Sequence, residues 1–590
     1  MNISFKTLGV GALLSSSLLI LSSCDDFLDR PTEDNYNTEN YYTSDDACIS
    51  GVNYLYNSPW YDFQRGFIKV GEVFSGNMYW GSSPYLNFSV NGTDADLVNM
   101  SYSLWAEISH CSTVYESLKG ATASESVKKM CMGECLTWKA MAYFYLVRSF
   151  GDVPIIHDNS ATLAAGDYNE LSKVQKADVY EYIILTLEKA MELLPKSSSA
   201  GRIDYYCAEG LLAKVYLTKA GVSGSLNNED LAMAAKLSKD VIDNSGRKLE
   251  SNYEDIFRGS HNTGEESLIA WRWTVGAHWT CQNSLQSDLA IEGFCEVGSV
   301  WGGWGGPSTD LMEAFGVITI EGEGSNARLK EYPSPESRAD IDTRRKATMM
   351  LPGDKYSYFW RDKGGFDYLE FIYNSEYNAS ATGQLEGPCG TNNVKHLYGD
   401  NADHVAEMGI SDGRMASALA THILRLADVY LIHAEAMVLQ GQGNATSALA
   451  AYNAVHQRAI PTAAAATSLT FDQIWKERRL EFAGEGDRWY DYVRRAYYDV
   501  QSCISELKSQ HRNQLWNCDA LYKAYYTSNR TVWNIVTADG NVEYNFDTAV
   551  PNVTEKSFVL PFPTEDVALN PNVASDAPAV HVDVREVYSY

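Results

Sequence analysis

Helical periodicity appears in two blocks of this chain and breaks down between them, from roughly residue 260 to residue 420. In the first block, Trp105 to Leu118 and Lys128 to Phe150 read as helices. Met132, Leu136, Met141, Phe144 and Tyr145 approximate one apolar face of the second. Gly151-Asp152-Val153-Pro154 ends it, since proline cannot continue a helix. Lys176 to Leu194 follows, stopped by Pro195, and then Tyr205 to Ala220 and Leu231 to Asp243. The second block holds Ile423 to Gln440, Ser447 to Ala459, Phe471 to Gly484 and a short segment from Asp487 to Arg494. Helices paired by short turns stack like tetratricopeptide-type hairpins, although the roughly 34-residue consensus is not visible. The expected fold class is therefore mainly α: a helical-hairpin scaffold with a long, irregular, loop-rich insertion and few short strands.

Within the insertion only Glu266 to Trp273 reads as a strand, with Trp271 and Trp273 alternating toward the core. The rest is rich in Gly, Asn, Ser and aromatics. A long irregular stretch inside a compact protein is either functional or disordered, and this aromatic content argues against disorder. Function is expected here.

The N-terminus reads as an export signal. Lys6 precedes an uncharged apolar run, Leu8 to Leu21, too short to span a bilayer. Leu21-Ser22-Ser23-Cys24 resembles a bacterial lipobox, which makes Cys24 the expected lipidation site and the mature N-terminus. Lipidation at two or more chains anchors a protein stably. Asp25 and Asp26 resemble a signal for the outer face of the outer membrane. The expected organisation is a signal peptide (1–23), a lipidated tether (24–45), an N-terminal helical region (46–260), and a C-terminal region (261–590) packed with it as one unit.

The chain carries a formal charge of −29, with 38 Tyr and 14 Trp. Such an acidic surface repels phosphate backbones and argues against nucleic acid. It also disfavours acidic polysaccharides, whereas Tyr and Trp suit stacking on the flat apolar faces of neutral sugars. Of the eleven cysteines, Cys131 and Cys135 lie four apart on a helix with no further ligands at hand, and read as buried small residues. Glu477, Glu481 and Glu485 recur every four residues near Arg478, Arg488 and Arg494. Paired carboxylates serve glycoside hydrolysis, but neighbouring arginines keep such groups ionised, which favours ion pairing over proton donation. No metalloprotease, P-loop, dinucleotide or nucleophile-elbow pattern is present. Asp400, Asn401 and Asp403 are too short a signal for calcium, and no cofactor is expected.

Several segments together resemble the SusD/RagB family of outer-membrane glycan-binding lipoproteins. They are GECLTWKAMAYFYLVRSFGDVPII (133–156), GGPSTDLMEAF (305–315), RLADVYLIHAEA (425–436), ERRLEFAGEGDRWYDYVR (477–494) and LPFPTEDVALNPNV (560–573). NVKHLYG (393–399) departs slightly from the family pattern. The resemblance implies a non-catalytic protein that captures a polysaccharide and passes it to a TonB-dependent, SusC-like transporter. It also implies that the 477–494 segment supports the fold.

A sugar platform needs aromatic faces in Gly-rich loops together with amides or carboxylates for the hydroxyls. Gly76 to Asn87 and Trp279 to Trp304 meet that description. By resemblance to members recognising β-glucans or xyloglucan, the first-rank glycan-binding candidates are Trp80, Trp279 and Trp301. Trp304, Tyr85, Asn77 and Asn283 follow. Two other readings compete: a surface glycoside hydrolase, and a lipid-anchored scaffold whose exposed aromatics bind protein.

Overall fold

The computed structural model describes residues 41–590 apart from 82, 296–302, 304, 538–539 and 546–550. The signal peptide, Cys24 and most of the tether lie outside the described residues. Among the described residues the fold is mainly helical, with 52% helix against 9% strand.

The scaffold helices are α1 (Ala95–Lys119), α2 (Glu125–Phe150), α3 (Lys176–Leu193), α4 (Tyr205–Lys219), α5 (Asn228–Asn244), α6 (Leu426–Leu439), α7 (Thr446–Ala459), α8 (Phe471–Phe482) and α9 (Arg488–Ser509). Their starts follow capping chemistry. Asp94 accepts from the backbone N–H of Asp96 and Leu97 at 3.1 and 3.0 Å, so α1 begins ten residues before its apolar pattern does. Thr470 and Gln473 form a capping box on α8. Gly151 stops α2 at φ 73°, a left-handed value that costs glycine little.

Helices α1 to α5 each pack on the next, α6 packs on α7 and α8, and α5 packs directly on α6 although nearly two hundred residues separate them. The insertion is thus looped out of a continuous helical stack. Its two ends are paired: strand β2 (Ser267–Trp271) runs antiparallel to β4 (Thr421–Arg425), with Thr421 opposite Trp271 and Arg425 opposite Ser267. Residues 421–425 are therefore strand, where the sequence pattern places the start of a helix at Ile423. The insertion packs a small core of its own around Phe294, Phe359, Trp360, Phe366 and Phe371. Trp271 and Trp273 are buried in the main core.

At this neck lies a buried ion network. Arg425 pairs with Glu266 just before β2, with Glu481 (3.0 Å) and with Glu485 (2.6 Å). Arg344 of the insertion reaches Glu477 (2.6 Å) and Glu481 (3.2 Å), and Lys395 of the insertion reaches Glu485 (2.7 Å). Arg458 of α7 completes the set with Glu481 at 2.6 Å and Glu266 at 2.9 Å. The partners of the three glutamates thus come from elsewhere in the chain. Arg478 and Arg494, from the same stretch of sequence, face Asp428, Asp491 and Glu435 instead.

Burial by itself raises these carboxyl pKa values, but the cations outweigh it. Arg458, Arg425 and Arg344 hold Glu481 below the usual range, and Arg425 and Lys395 hold Glu485 at about 2. With folded pKa values below the unfolded ones, this stabilisation is fully present above about 4.5 and is lost as pH falls toward 2. Arg425→Met should therefore cost roughly 3–5 kcal/mol at pH 7, because it strands buried carboxylates. The deficit in thermal midpoint should shrink on acidification, as protonation removes the unpaired charge. A variant as stable as wild type at pH 7 would contradict the role given to the network.

Candidate functional site

The exposed face of residues 58–73 forms a shelf. Ser58–Phe63, Gln64–Ile68 and Lys69–Val73 make one continuous helical run of changing pitch. Along it Tyr61, Asp62, Arg65 and Lys69 reach the surface while the other side chains are buried. Tyr61, Arg65 and Lys69 share one face at four-residue spacing and span about 12 Å.

Trp279 stands at the Tyr61 end. It lies on a single turn, Trp279–Cys281, and is 51% exposed, with its ring at 6.2 Å and 63° to that of Tyr61. Its loop is laced to the shelf. Asn57 Nδ2 donates to the Arg272 carbonyl (2.9 Å), Ser58 bonds Thr280, and Gln64 Oε1 accepts from the Ser284 N–H (3.0 Å). An irregular loop thereby holds an exposed indole in place.

Trp80 stands at the Lys69 end and is half-buried. It ends strand β1 (Met78–Trp80), which pairs antiparallel with β3 (Gly305–Pro307), placing Trp80 opposite Gly305. A Cβ on Gly305 would come within 2.3 Å of the indole, so only glycine lets the ring lie there. The Lys69 ammonium sits 5.1 Å from the ring centroid. Between the two tryptophans each cation has an aspartate partner. Arg65 forms a two-pronged pair with Asp288 (2.7 and 2.9 Å), and Lys69 pairs with Asp96.

The N-terminal loop and the insertion therefore meet at this shelf, one through Trp80 and the other through Trp279. Trp301 and Trp304 lie outside the described residues. Three expected contacts are overturned. Tyr85 is buried, and its hydroxyl donates to Asp94 at 2.8 Å. Asn77 is buried between Glu72 (3.0 Å) and Arg479 (2.8 Å). Asn283 is buried, donating to the Leu419 carbonyl (2.8 Å) and accepting from the Leu285 N–H (2.9 Å). Irregular backbone leaves polar groups that need partners, and these amides supply them. In contrast, Tyr61, Arg65, Lys69 and Asp288 were not marked out by sequence reasoning. The signal for the first three was the spacing of four within WYDFQRGFIKV.

Other clusters have structural explanations. Asp400 and Asp403 form a capping box on helix Asn401–Met408, and Asp403 also accepts from the Trp360 N–H at 2.7 Å. Asp310, Glu313 and His511 come within metal-ligand reach of one another. However, both His511 nitrogens already face acceptors, Glu313 (2.6 Å) and the Gly322 carbonyl (3.1 Å). Glu313 raises the His511 pKa, and the arrangement is that of an imidazolium ion pair. Glu477, Glu481 and Glu485, ionised and enclosed, are not placed to protonate a ligand. Cys131 and Cys135 are buried free thiols.

Residues 282–578 match the SusD family model, and residues 26–217 match one described as starch-binding, associating with the outer membrane. A SusD-like protein of Bacteroides ovatus is 30% identical over 581 residues, 95% of this chain and 96% of its own. The chain belongs to the SusD family. A crystal structure with xylogluco-oligosaccharide is 26% identical and superposes with a TM-score of 0.74, over 91% of this chain and 99% of that one. A SusD homologue from Bacteroides thetaiotaomicron shares the fold at 19% identity, with a TM-score of 0.63 over 91% and 97% of the two chains. No helix among the described residues is long and apolar enough to cross a membrane.

The buried amides give this SusD-family chain a stability test. Asn283→Ala removes its side-chain bonds to Leu419, Thr421 and Leu285 and should cost about 1–3 kcal/mol. This would be read as a lower thermal midpoint, with glycan affinity unchanged wherever the protein remains folded.

Proposed function

We propose that this protein captures a neutral polysaccharide on the shelf between Trp279 and Trp80, without cleaving it, and delivers it to a TonB-dependent, SusC-like outer-membrane transporter. The observation that carries the reading is a strongly exposed Trp279 and a half-buried Trp80 at opposite ends of one shelf whose cations are each matched by an aspartate. Matched charge gives an acidic sugar no advantage, while an exposed indole favours the apolar face of a sugar ring. A β-glucan or xyloglucan is the favoured ligand, supported by the similarity to the structure holding xylogluco-oligosaccharide. Trp301 and Trp304 extend the proposed contact set from the same insertion. Lipid attachment at Cys24, on the outer face of the outer membrane, fits the lipobox and the description of the family model over residues 26–217.

Each stacking indole contributes on the order of 1–3 kcal/mol, by analogy with base–aromatic stacking. Two or three of them on an open surface give roughly micromolar to millimolar affinity after ordering costs. That suits capture of a repetitive polymer, where neighbouring sites along one chain add avidity.

The test is affinity electrophoresis in gels containing xyloglucan, mixed-linkage β-glucan, starch or mannan. Wild type should be retarded by one of them, with reducing ends unchanged. Trp279→Ala should lose most of the retardation and Trp80→Ala a smaller share, both with native thermal midpoints. Release of reducing ends would favour a hydrolase, and retardation insensitive to both substitutions would place the site elsewhere.

A further inference from the structure

Helix α8 divides its charges between two faces. Glu477, Arg478 and Glu481 are buried in the ion networks, whereas Arg479 turns to the β1–β3 ribbon, its side chain only 13% exposed. Its Nε donates to Asn77 Oδ1 at 2.8 Å and its Nη2 to Asp310 Oδ2 at 2.6 Å. Asn77 immediately precedes β1, the strand that ends in Trp80. Asp310 lies in the first turn of the short helix Thr309–Ala314, directly after β3. One guanidinium therefore grips the roots of both strands. The remaining valences of those roots are also taken. Asn77 Nδ2 donates to Glu72 (3.0 Å), whose other oxygen accepts from the Gly486 N–H (2.7 Å). Asp310 Oδ1 accepts from the His511 N–H (2.8 Å), and the Asn77 carbonyl accepts from the Ser308 N–H (2.9 Å).

We propose that Arg479 is a positioning residue for the glycan shelf, fixing the β1–β3 ribbon so that Trp80 lies across Gly305 at its edge. The inference rests on the reading of the shelf as a glycan site. A ribbon of three residue pairs is too short to hold its own geometry in water. It needs an outside brace, and a planar fork with fixed donor directions braces two acceptors at once, where a lysine ammonium offers only a point charge on a flexible stem. The Trp279 loop does not use this brace; it hangs on Asn57, Ser58 and Gln64. A residue that merely stabilised the fold would weaken both ends of the shelf alike, whereas a brace on the ribbon acts through Trp80.

The experiment is a pair of double-mutant cycles on the full mature chain. The titrant is oligosaccharide cut from whichever panel polysaccharide retards wild type, with affinity read by calorimetry. Arg479→Met should weaken binding about tenfold in the wild-type and Trp279→Ala backgrounds, but by no more than about twofold in Trp80→Ala. Arg479→Lys should recover part of the loss. If Arg479→Met fails to fold, Asp310→Asn is carried through the same cycles. Unchanged affinity in the single variant, or the same factor with and without Trp80, overturns the role of Arg479 and leaves the shelf standing. A wild type retarded by no glycan, or binding that neither Trp80→Ala nor Trp279→Ala weakens, overturns both together.

Discussion

Arg425 is where the helical stack, the neck of the insertion and the α8 glutamates meet. Its guanidinium is buried among Glu266, Glu481 and Glu485, and each of these carboxylates has a second cation in Arg458, Arg344 or Lys395. Taking so many charges out of water is costly, and a lone buried pair is rarely worth its desolvation. A shared lattice changes the balance, because each of these carboxylates sees more than one cation in a medium that screens weakly. It also fixes position. Arg344 and Lys395 belong to the insertion, Arg425 and Glu266 to its neck, and Arg458, Glu481 and Glu485 to the scaffold and the turn that follows α8. Only one placement of the insertion satisfies all of them.

The shelf inherits that placement. Trp279 is carried by the insertion, and the helical run beneath it belongs to the N-terminal region. Their relative position depends on how the insertion is seated at the neck. From there, short side-chain bonds finish the work: Gln64 to Ser284, Arg65 to Asp288, and Arg479 to Asn77 and Asp310. Irregular backbone thus presents an aromatic group as firmly as a strand would, provided its polar groups find fixed partners. The outcome is a surface with indoles at both ends and no unmatched cation between them, on a chain whose overall charge is strongly negative.

Much of the scaffold was legible in the sequence because its signals are local. The apolar period of α2 and its Gly151 stop predict the end of that helix to the residue and its start within three. Where a local signal competed with a distant one, the distant one won. Ile423 and Leu424 look like the opening of α6, but pairing with β2 draws them into a strand. The carboxylates at 477, 481 and 485 were legible as ion-pair partners, yet not their cations, which arrive from 344, 395, 425 and 458 by tertiary contact alone. The same limit governed the site. Trp279 and Asn283 sit four residues apart in one polar loop, and nothing nearby says that one faces water while the other ties down the Leu419 carbonyl. The Tyr61–Arg65–Lys69 spacing was visible, but it became meaningful only once the Trp279 loop lay across it.

Trp279 and Trp516 are comparably exposed, at 51% and 53%, but Trp516 lies on a separate short strand, Leu515–Trp516, paired with Glu543–Tyr544. This pair supplies the most direct measurement: oxidative footprinting of tryptophans by mass spectrometry, with and without the retained glycan. If the shelf is the binding site, glycan protects Trp279 strongly and Trp80 partly, while Trp516 oxidises at an unchanged rate. Equal oxidation of Trp279 with and without glycan, under conditions where binding is saturated, would contradict the account.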